Sequence, residues 1–256
     1  MRLLSGSHFV SVVIPCLNEE EPIADVVREV LAQGVNEVVV VDNGSTDWTA
    51  ERAAQAGARV IAEPQRGYGR ACATGLAGVN KASEIVCYLD GDGSDVPSFI
   101  PKIVEPIAAN VADFTMGSRT RGHREPGSMT PQQLVAGWLA GLLMRLTFGA
   151  RFTDMSPLRA MRVDRLRALH MQEMTYGWNL EMQMRVAASR LRIVEIPVDH
   201  RCRRGGVSKV SGNIVAGLSA AWKITTTFLR LAIMLRKSPS EGSLDERSAS
   251  SRSGLA

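Results

Sequence analysis

The sequence predicts an α/β protein, a three-layer α/β/α sandwich around a mainly parallel central sheet. Three observations predict it. Short β-branched apolar runs alternate with helically spaced apolar residues through the first 118 positions. Several of these runs are apolar throughout, as strands covered on both faces are. Polar and acidic residues follow the first, second and fourth runs, which places them at one edge of the sheet. Right-handed crossovers then give a Rossmann-like layout, whose ligands sit beyond the carboxyl ends of the strands.

The elements follow in order. Val10–Ile14 reads as a strand, and Ile23, Val26, Val27, Val30 and Leu31 mark one face of a helix. Glu37–Val41 is a buried strand, Thr49–Ala56 a helix and Arg59–Ala62 a strand. Tyr68–Ala82 is a helix with small residues on one side, and Glu84–Leu89 a strand. Pro97–Ala109 is a helix begun by proline, followed by a strand at Asp113–Gly117. A Gly-rich connection over Gly117–Thr130 leads to an amphipathic helix at Gln132–Phe148. Val194–Val198 reads as a late strand, and Asn213–Leu235 as a long amphipathic helix. Residues 238–256 are polar and Ser-rich and are expected to form a disordered tail.

With 256 residues, 45% of them hydrophobic, the chain is long enough to bury a real core. The net charge of +4 is too mild to argue for nucleic acid. Cys16, Cys72, Cys87 and Cys202 have no metal-ligand spacing, and Cys16 and Cys87 sit in apolar runs as buried thiols would. The amino terminus reads as too short and polar for a signal peptide, and no window reaches a spanning length. The cytoplasm, or a peripheral position on the cytosolic membrane face, is the expected location.

Asp90-Gly91-Asp92 is the sharpest motif. Two carboxylates at a strand end can share Mg²⁺ or Mn²⁺, hard ions that prefer carboxylate oxygen. The plainer reading is a turn. In Asp42-Asn43-Gly44-Ser45-Thr46-Asp47, Asp42 can accept hydrogen bonds from a base or ribose, while Ser45 or Thr46 caps the next helix. Arg66-Gly67-Tyr68-Gly69 lets backbone approach a ligand, or simply closes a tight loop. Asp154 reads as a base or a helix cap, and Glu181 as a base or a solvated charge. From Asp199 to Lys237 the chain carries eight basic residues and one acidic one. That segment suits phosphate, a solvated face, or an anionic membrane surface.

Together VVIPCLNEE, VDNGSTD, EPQRGYGRACATGL, YLDGDGSD, MGSR, DMSPLRAM, YGWNLEMQ and HRCRRGGVSK stand in the order of a known family. Over residues 10–210 the chain resembles family 2 glycosyltransferases of the GT-A fold. It is most similar to the dolichyl- or polyprenyl-phosphate mannosyl- and glucosyl-synthase branch. The resemblance implies one domain over residues 1–237, with a nucleotide-sugar half at 10–118, an acceptor half at 119–210 and an amphipathic helix at 211–237. It implies that Pro15, Leu17, Asn18, Glu19, Asp42, Asn43 and Gly44 hold the nucleotide. Arg66, Gly67 and Gly69 would line the phosphates, Asp90 and Gly91 would join the nucleotide-sugar site, and Asp90 and Asp92 would bind the metal, Asp92 with a catalytic role. Arg119, Arg201, Arg203, Ser208 and Lys209 would meet the acceptor phosphate or the donor diphosphate. In some lipid-phosphate mannosyl synthases a glutamine two positions after the second aspartate helps bind the metal. Ser94 stands there in this chain, with Asp95 next.

The implied reaction moves a hexose from a nucleoside-diphosphate sugar to a polyprenyl phosphate, with inversion. The alternatives are a soluble phosphorylated or hydroxyl acceptor, and a nucleotide-sugar-binding protein without turnover. A hydroxyl acceptor needs a general base, for which Asp154 and Glu181 are the candidates.

Overall fold

A computed structural model of the chain describes residues 8–205, 225–233 and 235. Strands and helices alternate as β1 (Val10–Cys16), α1 (Ile23–Leu31), β2 (Glu37–Asp42), α2 (Thr49–Gln55), β3 (Arg59–Ala62) and α3 (Tyr68–Gly78). Then come β4 (Ile85–Tyr88), α4 (Ile100–Ala108) and β5 (Phe114–Ser118), with a 3₁₀ turn at Pro97–Phe99 leading into α4. The remaining elements are α5 (Pro131–Phe148), β6 (Arg159–Arg162), α6 (Val163–Ala168), α7 (Trp178–Ala188) and β7 (Ile193–Pro197). Residues 225–233 form a further helical segment.

The seven strands form one sheet in the order β3-β2-β1-β4-β6-β5-β7. β1 pairs in parallel with both β2 and β4, so the strand order reverses beside β1. Only β6 runs antiparallel to its neighbours. Successive side chains in β1 and β2 face opposite sides, which divides the core in two. Val12, Ile14, Val38 and Val40 pack against the apolar residues of α1 and α4. Val13, Val39 and Val41 pack with α3, α5 and α7 on the other face. This is the three-layer sandwich, with β1 and β4 at its centre.

The structure differs from the sequence expectations at several elements. α3 ends at Gly78, because Val79 turns to extended backbone. β6 and α6 occupy the stretch read only as the motif DMSPLRAM and its sequel, and α7 the stretch read as YGWNLEMQ. β6 escaped the periodicity because two of its four residues are arginine. Arg159 is fully buried nonetheless. Its guanidinium donates to the carbonyls of Ser156 and Asn179 and lies over the Phe114 ring, 6.0 Å from the centroid. Burial lowers its pKa to about 10.

α5 is not amphipathic in the expected sense. It begins with a capping box between Thr130 and Gln133 and ends at Gly149 in the left-handed conformation. Its buried face is small: Ala136, Gly137, Ala140, Gly141 and Met144. Four of its large apolar residues, Val135, Trp138, Leu142 and Leu146, face outward, while Leu143 and Phe148 pack against the core.

Cys16, Cys72 and Cys87 are buried free thiols, held protonated by burial, and Cys202 is exposed. No helix among the described residues is long and apolar enough to cross a membrane. The expected tail at 238–256 and most of the helix expected at Asn213–Leu235 lie outside the described residues.

Candidate active site

The loops after β1, β2 and β3 form one wall at the carboxyl edge of the sheet. Asn18 takes a left-handed conformation, with φ of 53°. Its Oδ1 accepts from the Thr46 N–H, and its own N–H donates to Ser45 Oγ. The Glu19 N–H donates to Thr49 Oγ1. Asp42 accepts from the Ser45 N–H through Oδ1. Pro15 lies buried in the last part of β1, and Leu17 follows at the surface of this wall.

Several residues expected at the nucleotide serve the protein itself. The Asn43 side chain donates to the carbonyls of Glu63 and Gln65 and accepts from the Gly67 N–H. Asn43 therefore pins the loop after β3. Gly44 takes φ of 79°, and Arg66 donates to its carbonyl at 2.9 Å. Gly67 and Gly69 admit a close approach, but of the chain's own loop. A Cβ on either would overlap the backbone carbonyls of Glu173 or Met174. Gly69 and Arg70 donate to the carbonyls of Thr175 and Met174. A Cβ on Gly91 would overlap Cys16 Sγ, so this glycine serves packing below the site.

Asp90, Asp92 and Asp95 follow β4, next to the strand-order reversal. The Tyr68 hydroxyl donates to Asp90 Oδ1 at 3.1 Å. The Asp90 N–H donates to Asp95 Oδ2. Asp92 Oδ1 accepts both the N–H and the hydroxyl of Ser94, at 2.9 and 2.6 Å. Burial raises the Asp90 carboxyl well above the usual carboxylate range, and repulsion from Asp92 and Asp95 adds to it. Asp95 is raised too, again mainly by burial.

Such a crowded set of carboxylates calls for positive charge. Among the described residues no three or more His, Cys, Asp or Glu side chains converge as an all-protein metal cage. Two carboxylates that leave further positions to phosphate oxygens suit Mg²⁺ or Mn²⁺ all the same. In this structure the Arg203 guanidinium supplies the charge. It stands 2.9 Å from Asp92 Oδ2 and 2.7 Å from Glu19 Oε1. Arg201 and Arg204 each pair with Glu29. Arg201 and Arg203, expected at a phosphate, are thus folded onto Glu29, Glu19 and Asp92. Ser208 and Lys209 lie outside the described residues.

Arg119 and Asp154 form a forked ion pair, Nε to Oδ2 and Nη2 to Oδ1, both at 2.8 Å. Asp154 also accepts the N–H groups of Arg119 and Met155. Burial works against its charge, but the hydrogen bonds and charge of Arg119 win and hold the carboxyl below its usual value. Asp154 is therefore a poor base. Glu181 is fully buried. Its oxygens accept the N–H groups of Gln172 and Glu173 and the Arg185 Nε–H. It fixes the 171–175 loop rather than standing as a solvated charge or a general base.

A model of the family described as "Glycosyl transferase family 2" matches residues 11–169, more than half of the chain. The chain belongs to glycosyltransferase family 2. It is 36% identical over 220 residues to an uncharacterized glycosyltransferase of Mycobacterium tuberculosis, covering 84% of this chain and 97% of the other. It is 31% identical over 240 residues to the undecaprenyl-phosphate mannosyltransferase of Micrococcus luteus, covering 84% of this chain and 96% of that one. In fold it matches the glucosyl-3-phosphoglycerate synthase of M. tuberculosis, solved with Mn²⁺, UDP-glucose and phosphoglyceric acid. That match has a TM-score of 0.67 at 23% identity and covers 92% of this chain and 82% of the other.

In this family 2 glycosyltransferase the sequence reading passed over two site residues. Tyr68 lay between the two glycines that drew attention. His200 stood just before the arginine run, where charge was the visible signal. It is buried, its backbone forms isolated β-bridges with Asp95 and Arg124, and its Nδ1 has no hydrogen-bond partner. Burial, with help from Arg119, lowers its pKa to about 4, so the imidazole is neutral.

Proposed function

We propose that this glycosyltransferase moves a hexose from a nucleoside-diphosphate sugar to a polyprenyl phosphate, with inversion, as a peripheral enzyme. The observation that carries the choice of acceptor is the engagement of both candidate bases. Asp154 is locked to Arg119, and Glu181 is locked into a loop. A hydroxyl acceptor needs a base within reach. A phosphate monoester, with its second pKa near about 6, is already ionised and needs alignment instead. The relationship to an undecaprenyl-phosphate mannosyltransferase supports the same acceptor.

In this reading the loops carrying Leu17, Asn18, Glu19 and Asp42 hold the nucleotide. Asp90 and Asp92 hold Mg²⁺ or Mn²⁺, which when bound supplies positive charge to the departing diphosphate. Tyr68 fixes the Asp90 carboxylate through its hydroxyl. Ser94 fixes one oxygen of Asp92. Arg203 leaves Asp92 and Glu19 when donor binds and turns its guanidinium to phosphate oxygen, which it can grip with two N–H groups. Arg119, held rigid by Asp154, faces the acceptor phosphate.

A second reading keeps the donor and takes a soluble phosphorylated acceptor. The fold match to a protein solved with phosphoglyceric acid favours it. One experiment separates the two. Purified protein is given labelled UDP-glucose or GDP-mannose with Mn²⁺, and either undecaprenyl phosphate in detergent or 3-phosphoglycerate. Label moving into the organic phase, and lost in Asp92→Ala, supports the lipid acceptor. Label appearing only on the soluble acid supports the second reading.

A further inference from the structure

The described residues expose nine large hydrophobic side chains, and six of them lie on two touching helices. Val135, Trp138, Leu142 and Leu146 stand three or four residues apart on α5. At 3.6 residues per turn they form one stripe, opposite the small buried face. Trp138 is 66% and Leu146 74% exposed. Leu229 and Ile233, four apart, are both 56% exposed on the 225–233 segment. That segment meets the last turn of α5 through Phe148 and Phe228, whose ring centroids lie 6.4 Å apart. A monomer rarely leaves so many large apolar groups together in water.

Charge says what covers this face. No Asp or Glu occurs between Glu125 and Asp154, whereas Arg145 and Arg151 do. Both arginines are exposed. On the 225–233 segment Arg230 stands next to Leu229, its side chain 65% exposed and paired with Glu173. A second copy of the chain seated on this face would set arginine against arginine. A layer of anionic headgroups above acyl chains would accept both the arginines and the apolar stripe.

We propose that the outer face of α5, continued by Leu229 and Ile233, is the surface by which this protein seats on an anionic membrane. The position of α5 gives the contact a purpose, which rests on the lipid-phosphate reading of the acceptor. On the inner side of the same helix, a Cβ at Gly137 would lie 3.9 Å from Asp154 Oδ1. Only about one helix diameter, roughly 10 Å, separates the headgroup layer from the Arg119–Asp154 pair. A lipid phosphate can then reach Arg119 while its chain stays in the leaflet. An apolar outer stripe on a helix whose inner face packs on the protein can sink into the headgroup–acyl boundary without crossing the membrane.

The test is flotation of the full chain with vesicles of phosphatidylcholine alone, or of equal parts phosphatidylcholine and phosphatidylglycerol. Wild type should float with the mixed vesicles and less with the neutral ones. Trp138→Glu combined with Leu146→Glu should bind about tenfold more weakly, equivalent to about 1.4 kcal/mol. Trp138→Phe should bind as wild type does. An unchanged thermal shift with nucleotide sugar and Mn²⁺ shows that the double variant is folded. Wild type that stays out of both vesicle types overturns the surface. So does a dimer in solution that the double variant converts to monomer. Turnover of a water-soluble short-chain isoprenyl phosphate reads the acceptor separately. Vesicle binding without that turnover supports the surface and counts against the acceptor. Turnover without vesicle binding does the reverse.

Discussion

Asp154 is only 2% exposed, yet it keeps its negative charge because Arg119 grips both of its oxygens. A buried pair is worth little compared with a well-packed apolar pair, but losing one partner strands the other. Asp154→Asn should therefore cost about 3–5 kcal/mol in urea denaturation. Replacing both residues, as Arg119→Met with Asp154→Leu, should cost clearly less than the single change. Tyr68→Phe should leave the fold intact but weaken Mn²⁺ binding in the presence of nucleotide by about tenfold, as loss of a ligand's supporting hydrogen bond commonly does. Isothermal titration of Mn²⁺ into the nucleotide complex would read this. His200 gives a pH dependence. Its pKa falls from 6.5 to about 4 on folding. As pH drops through that interval the unfolded chain takes up a proton that the fold refuses, so stability held above 6.5 is lost towards 4. His200→Gln should flatten this acid slope in melting temperature measured against pH. Neither His200 nor the locking of Asp154 was legible in the sequence. A carboxylate in a motif looks the same whether its partner is a substrate proton or an arginine 35 residues away.

α5 offers a sharper test than any motif, because two glycines on its buried face meet different surroundings. A Cβ at Gly137 meets nothing closer than 3.9 Å, whereas one at Gly141 would overlap the Phe152 carbonyl. Gly137→Ala should stabilise the protein by roughly 0.5–1 kcal/mol, the ordinary gain of alanine in a helix. Gly141→Ala should instead destabilise it by about 1–3 kcal/mol, since backbone must move. Thermal or urea denaturation of the pair decides both. The elements legible in the sequence were those whose burial is apolar: β1, β2, β4 and α1 have cores of valine and isoleucine. β6 was hidden because its buried side chain is an arginine satisfied by carbonyls. The inner face of α5 was hidden because it is built mostly of small residues, while four large apolar ones lie on the exposed side.

At the scale of the whole molecule, the stability of the protein without metal should depend on the carboxylates beyond β4. Asp90 and Asp95 are raised in the fold, so the fold holds protons there that the unfolded chain has released. Their contribution is present at low pH and is lost as pH rises through the folded values. Mn²⁺ held by Asp90 and Asp92 together with nucleotide would displace the Asp90 proton, so its stabilising effect should grow from pH 6 to pH 9 in a thermal-shift series. A shift independent of pH would place the metal elsewhere. The carboxyl-edge site was legible because three loops rich in polar residues follow alternate elements of one sheet. Which of their residues face a ligand was not, because Asn43, Gly67 and Gly69 are spent on joining loops together. The last two close directly on the backbone of residues 173–175, and β6 lies between β4 and β5. The portions of the chain before and after residue 118 are consequently interlocked and do not behave as exchangeable cassettes. A chimera that imports another enzyme's chain from residue 119 onward will bring a foreign 173–175 loop against Gly67 and Gly69. To work, it must import the matching turn as well.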